Sequence, residues 1–442
     1  MLVFLALTAW AVPALAPLPL VVEETRLGNG IRVAGVQVPG SRLVAVQVRV
    51  AGGSAEERAG ESGLAHLVEH IGFGGSAHAP EGAYDEWLAA VGADNNAWTA
   101  HDETVYTVVG PPEALPLMLF LESDRLGWLE GGLTESRLDI QRAVVRAEAE
   151  GDAATPHARN LEALNAAVFP VGHPYHRPVM GDVEALGGAT AAQVLDFHRR
   201  SHAPGHVSVA IAGASPPAAL LAEARRWLSE VPRQQGAPLA AAAREVDPEG
   251  PSLRVWRDTA REDRIFVAWP TVPRGHADEP ALDLLARLLG SGADAPLRSR
   301  RLLERTGLHA VDAWTLNGRH GGLFVVEARG SAGVDTVAAL ESAVSRARLR
   351  PRRVEAVRHA WHADAVRSAQ GVEALAHLVA DCLGRGLPAS CARSDVDTHA
   401  AVTASDLARV RGRWLLPERR TALLVVDPER PVPDEAVLVV LP

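Results

Sequence analysis

The sequence predicts an α+β fold made of two similar domains of about 210 residues, each a mostly antiparallel sheet packed with helices. Three observations carry this reading. The chain has 442 residues, enough for two or three domains with cores of their own. Its halves repeat: Thr190 and Thr403 open similar helical patterns, Pro204 and Pro417 follow, and the members of each pair lie 213 residues apart. Within a half, strand-like runs come first and helices after, which fits α+β better than a βαβ alternation.

Taken in order, residues 1–16 (MLVFLALTAWAVPALA) carry no charged side chain and end in Ala14-Leu15-Ala16, the small-x-small pattern of a secretory cleavage site. The run is shorter than the ~20 apolar residues that cross a bilayer. It reads as an export signal, giving a periplasmic or secreted chain; read as a buried first strand, it leaves the chain in the cytoplasm. No later segment is apolar enough over enough residues to be an integral membrane span.

The first domain is expected over residues 17–231. Leu20–Thr25, Ile31–Val38 and Leu43–Val50 read as strands, with Asn29-Gly30 as a hairpin turn between the first two. Val44, Val46, Val48 and Val50 alternate with shorter or polar residues, the pattern of a half-buried strand. Leu64–Ile71 is an apolar helix, Thr104–Val109 a strand and Glu113–Asp124 a helix. After Thr190 come a helix, Pro204 and the strand Val207–Gly213. Residues 232–251, rich in Pro, Gly and Ala, read as a linker. The second domain, 252–442, repeats the order: helix Ala281–Leu289, strand Leu323–Ala328, helix Val334–Ala343, then Thr403, Pro417 and the strand Thr421–Val426.

Acidic residues outnumber basic ones 54 to 44, for a net charge of -10. Phosphate binding wants a basic surface, so nucleic acid is excluded as a main partner. The two cysteines, Cys382 and Cys391, are too few for a disulfide scaffold or a cysteine zinc site. The glycines and proline between them let the chain turn back, so an exported chain can join them as one bridge; two buried thiols are the alternative.

Chemistry concentrates in Gly63-Leu-Ala-His66-Leu-Val-Glu69-His70-Ile71. On a helix, His66 and His70 share a face and can hold one metal ion. Glu69 lies on the same side, where a general base would meet a metal-bound water. Three polar residues on an apolar helix are costly unless paired or bound. A catalytic zinc wants a third protein ligand. In Glu135–Gly151, Leu138, Gln141, Val144, Val145 and Glu148 fall on one helical face. Glu148 is therefore the candidate, and Glu150 points ~200° away toward solvent. His101 reads as a surface or supporting histidine rather than a ligand.

With these residues in place, the sequence resembles the pitrilysin/insulinase-type zinc metallopeptidases, in particular the two-domain subunits similar to mitochondrial processing peptidase, whose signature is the inverted H-x-x-E-H motif. The resemblance spans nearly the whole chain after Ala16. Gly53-Ser54, Gly63–His70, Phe73-x-Gly-Ser76, Asn96-Ala-Trp-Thr99, Asp102, Thr104, Tyr106, Gln141-Arg-x-Val-Val-x-x-Glu148, His173-Pro-Tyr175 and Gly181 carry it. It implies one Zn2+ per chain held by His66, His70 and Glu148, with Glu69 activating water. It also implies that the edge strand Asn96, Ala97, Trp98, Thr99 pairs with the backbone of a peptide substrate.

Two departures matter. Gln141 stands where the family often has a second Glu, so it faces the site without a charge. In the second half, Leu303 and Ala310 stand where self-sufficient members carry an Arg and a Tyr that hold substrate. The expected function is thus a zinc endopeptidase acting on peptides or unfolded segments, as the catalytic subunit beside a second, homologous subunit that supplies the Arg/Tyr pair. The alternatives are a non-catalytic assembly subunit on the same fold and a metal hydrolase of non-peptide substrates; the edge strand favours peptides.

Overall fold

The computed structural model describes residues 18–441 apart from 235, 237, 240–244, 249, 261, 293 and 332; the export signal expected over 1–16 lies outside the described residues, as does part of the expected linker. The chain forms two six-stranded sheets. The first contains β1 (Val21–Arg26), β2 (Arg32–Gln37), β3 (Val44–Val50), β4 (Asp94–Thr99), β5 (Thr104–Gly110) and β6 (Val207–Gly213), in the order β1-β2-β6-β3-β5-β4. The second contains β7 (Ser252–Arg257), β8 (Arg264–Thr271), β9 (Leu308–Gly318), β10 (Gly321–Gly330), β11 (Thr421–Val426) and β12 (Val437–Leu438), in the order β12-β7-β11-β8-β10-β9. Five strands of each sheet correspond one to one, and only the outer β1 and β12 come from opposite ends of the chain. Pairing is antiparallel except for β2–β6, β7–β11 and β7–β12.

Local sequence explains the repeat. Thr190 and Thr403 each cap a helix, Ala191–Ser201 and Ala404–Trp414, through a reciprocal capping box with Gln193 and Asp406. Pro204 and Pro417 each open a single 3-10 turn that feeds β6 and β11. Between β1 and β2, Gly30 takes φ 113°, a left-handed conformation that glycine adopts without steric cost, and the hairpin closes there as the Asn-Gly pair predicts. The helix expected over Glu113–Asp124 begins at Leu115 and runs to Trp128, after a 3-10 turn at Pro112–Ala114.

One expectation is corrected. β3 is not half-buried; all seven of its residues are buried. The reason lies far along the chain. Helix Val372–Gly384 from the second half lies on the first sheet, packing Leu375, Ala376, Val379 and Ala380 against Ala34, Val36, Ala45, Ala210 and Ala212. Small alanines on that face let the helix sit close. The polar residues of β3 find partners on it: Gln47 meets His377 at 3.1 Å and Arg49 pairs with Asp381 at 2.9 Å. The exchange is reciprocal. Helix Asn160–Val168 from the first half lays Ala163 and Leu164, with Phe169 and Tyr175 beyond it, on Phe266, Ala268, Leu323, Val325, Leu423 and Val425 of the second sheet.

Cys382 and Cys391 are joined in a disulfide at the end of the crossing helix. The segment it closes is docked on the first sheet: Arg32 donates to the Leu383 carbonyl at 2.9 Å and the Leu387 carbonyl at 2.7 Å. No described helix is long and apolar enough to cross a membrane.

Candidate metal centre

Helix Leu64–Ile71 carries the motif on its open side and buries Leu64, Leu67, Val68 and Ile71 against Leu138, Val145, Leu186 and Phe197. Its start is fixed by two close approaches. Gly63 takes φ 87°, and a Cβ there would meet the Met180 carbonyl at 2.6 Å; a Cβ on Gly181 would meet Gly63 N at 2.2 Å. Side chains at either position would push the helix off its seat. Glu57 Oε1 then accepts the free Ala65 N–H at 3.0 Å, a cap supplied from outside the helix. Burial pushes the Glu57 carboxyl up to about 8.

His66 Nε2 and His70 Nε2 face each other at 3.2 Å. Glu148, on helix Glu135–Ala154, brings Oε2 to 3.8 Å from the first and 3.4 Å from the second. Donors about 2.0–2.2 Å from a tetrahedral zinc stand roughly 3.3 Å from one another, so the three atoms fit that ion without rearrangement. The side chains are 12%, 20% and 45% exposed respectively, so the pocket they form is open on the Glu148 side, as a catalytic metal site requires. Burial, reinforced by His70, lowers His66 to about 4; burial also lowers His70. Burial thus favours the neutral form of both rings, the form that binds metal. Gln141 lies beside His70, where the sequence puts it, and opposes the lowering of that ring's pKa. Glu150 is exposed.

The Glu148 helix departs from expectation on one point. Of its expected face, Leu138 and Val145 are buried, but Val144 is 43% exposed. The helix touches the protein along one edge and leaves the other side beside the donor set uncovered.

Glu69 is buried and points to the edge strand, where Thr99 Oγ1 donates to its Oε2 at 2.6 Å. Burial raises the Glu69 carboxyl, and the Thr99 bond opposes that rise. Beneath it lies Arg125, fully buried, paired with Glu122 and set over the rings of Phe73, Tyr84 and Tyr106 at 4.7, 4.5 and 4.0 Å. Neither Glu57 nor Arg125 was singled out by sequence reasoning, because each acts through contacts that only the fold creates.

β4 ends its sheet, so among the described residues one of its edges carries no strand. Asn96 is exposed, and Ala97 packs on the first-half core. Trp98 points to the opposite face, its ring 5.9 Å from that of His377. Thr99 is the one side chain of the four that reaches the motif helix through a hydrogen bond.

The second half is built differently at the corresponding place. Helix Glu279–Gly290 offers Asp283, which accepts from Thr315 at 2.5 Å and Asn317 at 3.0 Å and faces His399 Nε2 at 3.2 Å. Apart from His66, His70 and Glu148, the described residues contain one other donor cluster, Cys382, Cys391 and Asp395, and its cysteines are bonded to each other. Leu303 packs on the second-half core and Ala310 lies on β9; neither side chain has a hydrogen-bonding group.

The halves meet at the loop after β4. Tyr175 OH donates to Asp102 Oδ2 at 2.6 Å, Arg319 N donates to the same oxygen at 2.6 Å, and His320 N donates to Tyr175 OH at 2.9 Å. Arg319 also pairs with Glu56. His101 sits in this joint, its Nε2 3.0 Å from the Arg177 carbonyl.

Residues 32–183 match the family model described as Insulinase (Peptidase family M16), and residues 188–347 match the one described as Peptidase M16 inactive domain. An uncharacterized zinc protease of Mycobacterium leprae is 28% identical over 301 residues, 67% of each chain. A probable mitochondrial-processing peptidase subunit beta of Schizosaccharomyces pombe is 25% identical over 285 residues, 63% of this chain and 62% of that one. The crystal structure of a protease from Helicobacter pylori has the same fold, with a TM-score of 0.83 at 21% identity, covering 92% of this chain and 99% of that one. The chain belongs to the insulinase family of peptidases, M16.

Proposed function

We propose that the chain is a zinc-dependent endopeptidase that cleaves peptides or unfolded segments. One observation carries the reading: His66, His70 and Glu148 converge at donor spacings suited to zinc, with Glu69 between the two histidines and bonded to an open sheet edge. When bound, zinc supplies Lewis-acid polarisation of the scissile carbonyl and a water acidic enough to react near neutral pH. Glu69 takes the proton of the attacking water on a carboxylate oxygen and passes it to the leaving amine as the C–N bond breaks. The open edge of β4 holds the peptide as an added strand, with main-chain hydrogen bonds setting its register. Gln141 keeps the His70 ring oriented.

The chain is further proposed to be the catalytic member of a heterodimer. Leu303 and Ala310 offer no donor to a substrate, so a second, homologous chain supplies the Arg/Tyr pair. The match of residues 188–347 to a family model described as an inactive domain and the subunit name of the Schizosaccharomyces pombe relative support this reading. Export to the periplasm or beyond is supported by the disulfide, which persists in oxidising compartments. The test is to assay the purified zinc-loaded chain alone and with its homologous partner. Turnover that rises on adding the partner is expected; full activity alone, with no gain, rejects the heterodimer, and absence of bound zinc favours an assembly subunit.

A further inference from the structure

We infer that Thr99 is a positioning residue: its hydroxyl holds one oxygen of Glu69, so that the other faces the reacting water, and it ties the base to the strand that receives the substrate. The inference rests on the peptidase reading above and deepens it.

The geometry is specific. Thr99 is the last residue of β4 and pairs across the ladder with Thr104, so its backbone is fixed. Its side chain leaves the strand on the face toward helix Leu64–Ile71 and donates to Glu69 Oε2 at 2.6 Å, the short distance of a hydroxyl bonded to a charged acceptor. Among the described residues Thr99 is the hydrogen-bond partner of the Glu69 carboxylate, which a long, rotatable side chain would otherwise leave free to turn. The bond goes to Oε2, and among the described residues no protein group donates to Oε1.

The second half provides an internal comparison. There Thr315 of the edge strand makes the same kind of tie to Asp283, but Asn317 donates to that carboxylate as well and His399 faces its second oxygen. Both oxygens of Asp283 are thus engaged, as in a structural group. Glu69 is tied once and left open, as a base should be. The shared tie belongs to the fold; the second Glu69 oxygen, to which no described protein group donates, serves the chemistry. Because Thr99 lies on the open edge strand, a peptide that adds to β4 is placed by the same strand that places the base. Base and scissile carbonyl thus share one frame of reference, and small misplacements there are costly.

The experiment is a double-mutant cycle on the zinc-loaded full chain, together with the partner if the assay needs it. Thr99→Val removes the hydroxyl at constant shape, Thr99→Ser keeps it, and each is read for kcat and KM on a quenched fluorescent peptide. Peptide affinity is read separately in the Glu69→Gln background. Thr99→Val is expected to lower kcat about 10- to 100-fold, the scale of one hydrogen bond to a charged group, with KM within about twofold. Thr99→Ser should recover most of the loss. In the Glu69→Gln background Thr99→Val should cost no further activity and leave peptide Kd unchanged. Thr99→Ala serves if the Val variant does not fold, with the same expectations. Unchanged kcat in both Val and Ala variants, a loss confined to KM or peptide Kd, or a Ser variant no better than Val would overturn the inference. A wild-type chain without turnover overturns the peptidase reading and this inference with it, whereas an active Thr99→Val chain overturns the inference alone.

Discussion

The Tyr175 hydroxyl donates to Asp102 Oδ2 at 2.6 Å, and through that pair the first half holds the turn between β9 and β10 of the second. Arg319 N and His320 N complete the joint, and a Cβ on Gly318 would meet Tyr175 OH at 2.1 Å, so the turn can approach only without one. Tyr175→Phe removes the donor and leaves a partly buried carboxylate with one bond fewer. It is expected to cost about 1–3 kcal/mol. Urea unfolding at constant pH checks this; a midpoint equal to wild type would show that the joint is dispensable.

Glu57 gives a pH signature. Burial raises its folded-state carboxyl to about 8, against 4.5 when exposed. The folded state therefore favours the protonated form. The stability this contributes is complete below about 4.5 and is lost as pH rises through about 8. Glu57→Gln cannot ionise and still accepts the Ala65 N–H. Measured by denaturation from pH 4 to pH 9, the variant should gain on wild type as pH rises and then level off; parallel curves would remove Glu57 as the cause.

The crossed helices predict that neither half folds alone. A fragment covering 18–231 leaves bare the face built from Ala34, Val36, Ala45, Ala210 and Ala212, which helix Val372–Gly384 covers in the whole chain. Its exposed apolar surface should make it associate. Co-expression with 252–442 should restore a soluble complex of both pieces. A first-half fragment that is monomeric and unfolds cooperatively would contradict this.

The bridge between Cys382 and Cys391 closes the loop that follows the crossing helix. Thiol counting on the denatured, unreduced protein should find no free thiol. Replacing both cysteines with Ser should cost about 2 kcal/mol, the scale for a short loop. Two reactive thiols would reject the bridge.

Much of this was readable in the sequence, and the reasons are local. The capping Thr190 and Thr403, the prolines that follow each helix and the Asn29-Gly30 turn act within a few residues, so the repeat and its strands could be placed. His66, Glu69 and His70 share a helix turn, so their common face follows from spacing alone. Glu148 needed a second helix, but its place on a shared face with Gln141 pointed to it. What was hidden acts across the chain. The polar Gln47 and Arg49 marked one face of β3 as solvent-facing, although His377 and Asp381 were waiting more than 300 residues away. An apolar helix such as Val372–Gly384 announces that it is buried, not which sheet it covers. Thr99 was legible as part of an edge strand, but its bond to Glu69 belongs to tertiary packing.

The central claim is that His66, His70 and Glu148 hold zinc while Glu69 acts on the substrate's water. The most direct measurement compares zinc content and peptide turnover in wild type and Glu69→Gln, each with its partner subunit where one is needed. The account predicts one zinc per chain in both proteins and a loss of turnover of at least ~100-fold in the variant, the lower scale of a general base. A zinc-loaded Glu69→Gln protein that still cleaves peptide at the wild-type rate would contradict it.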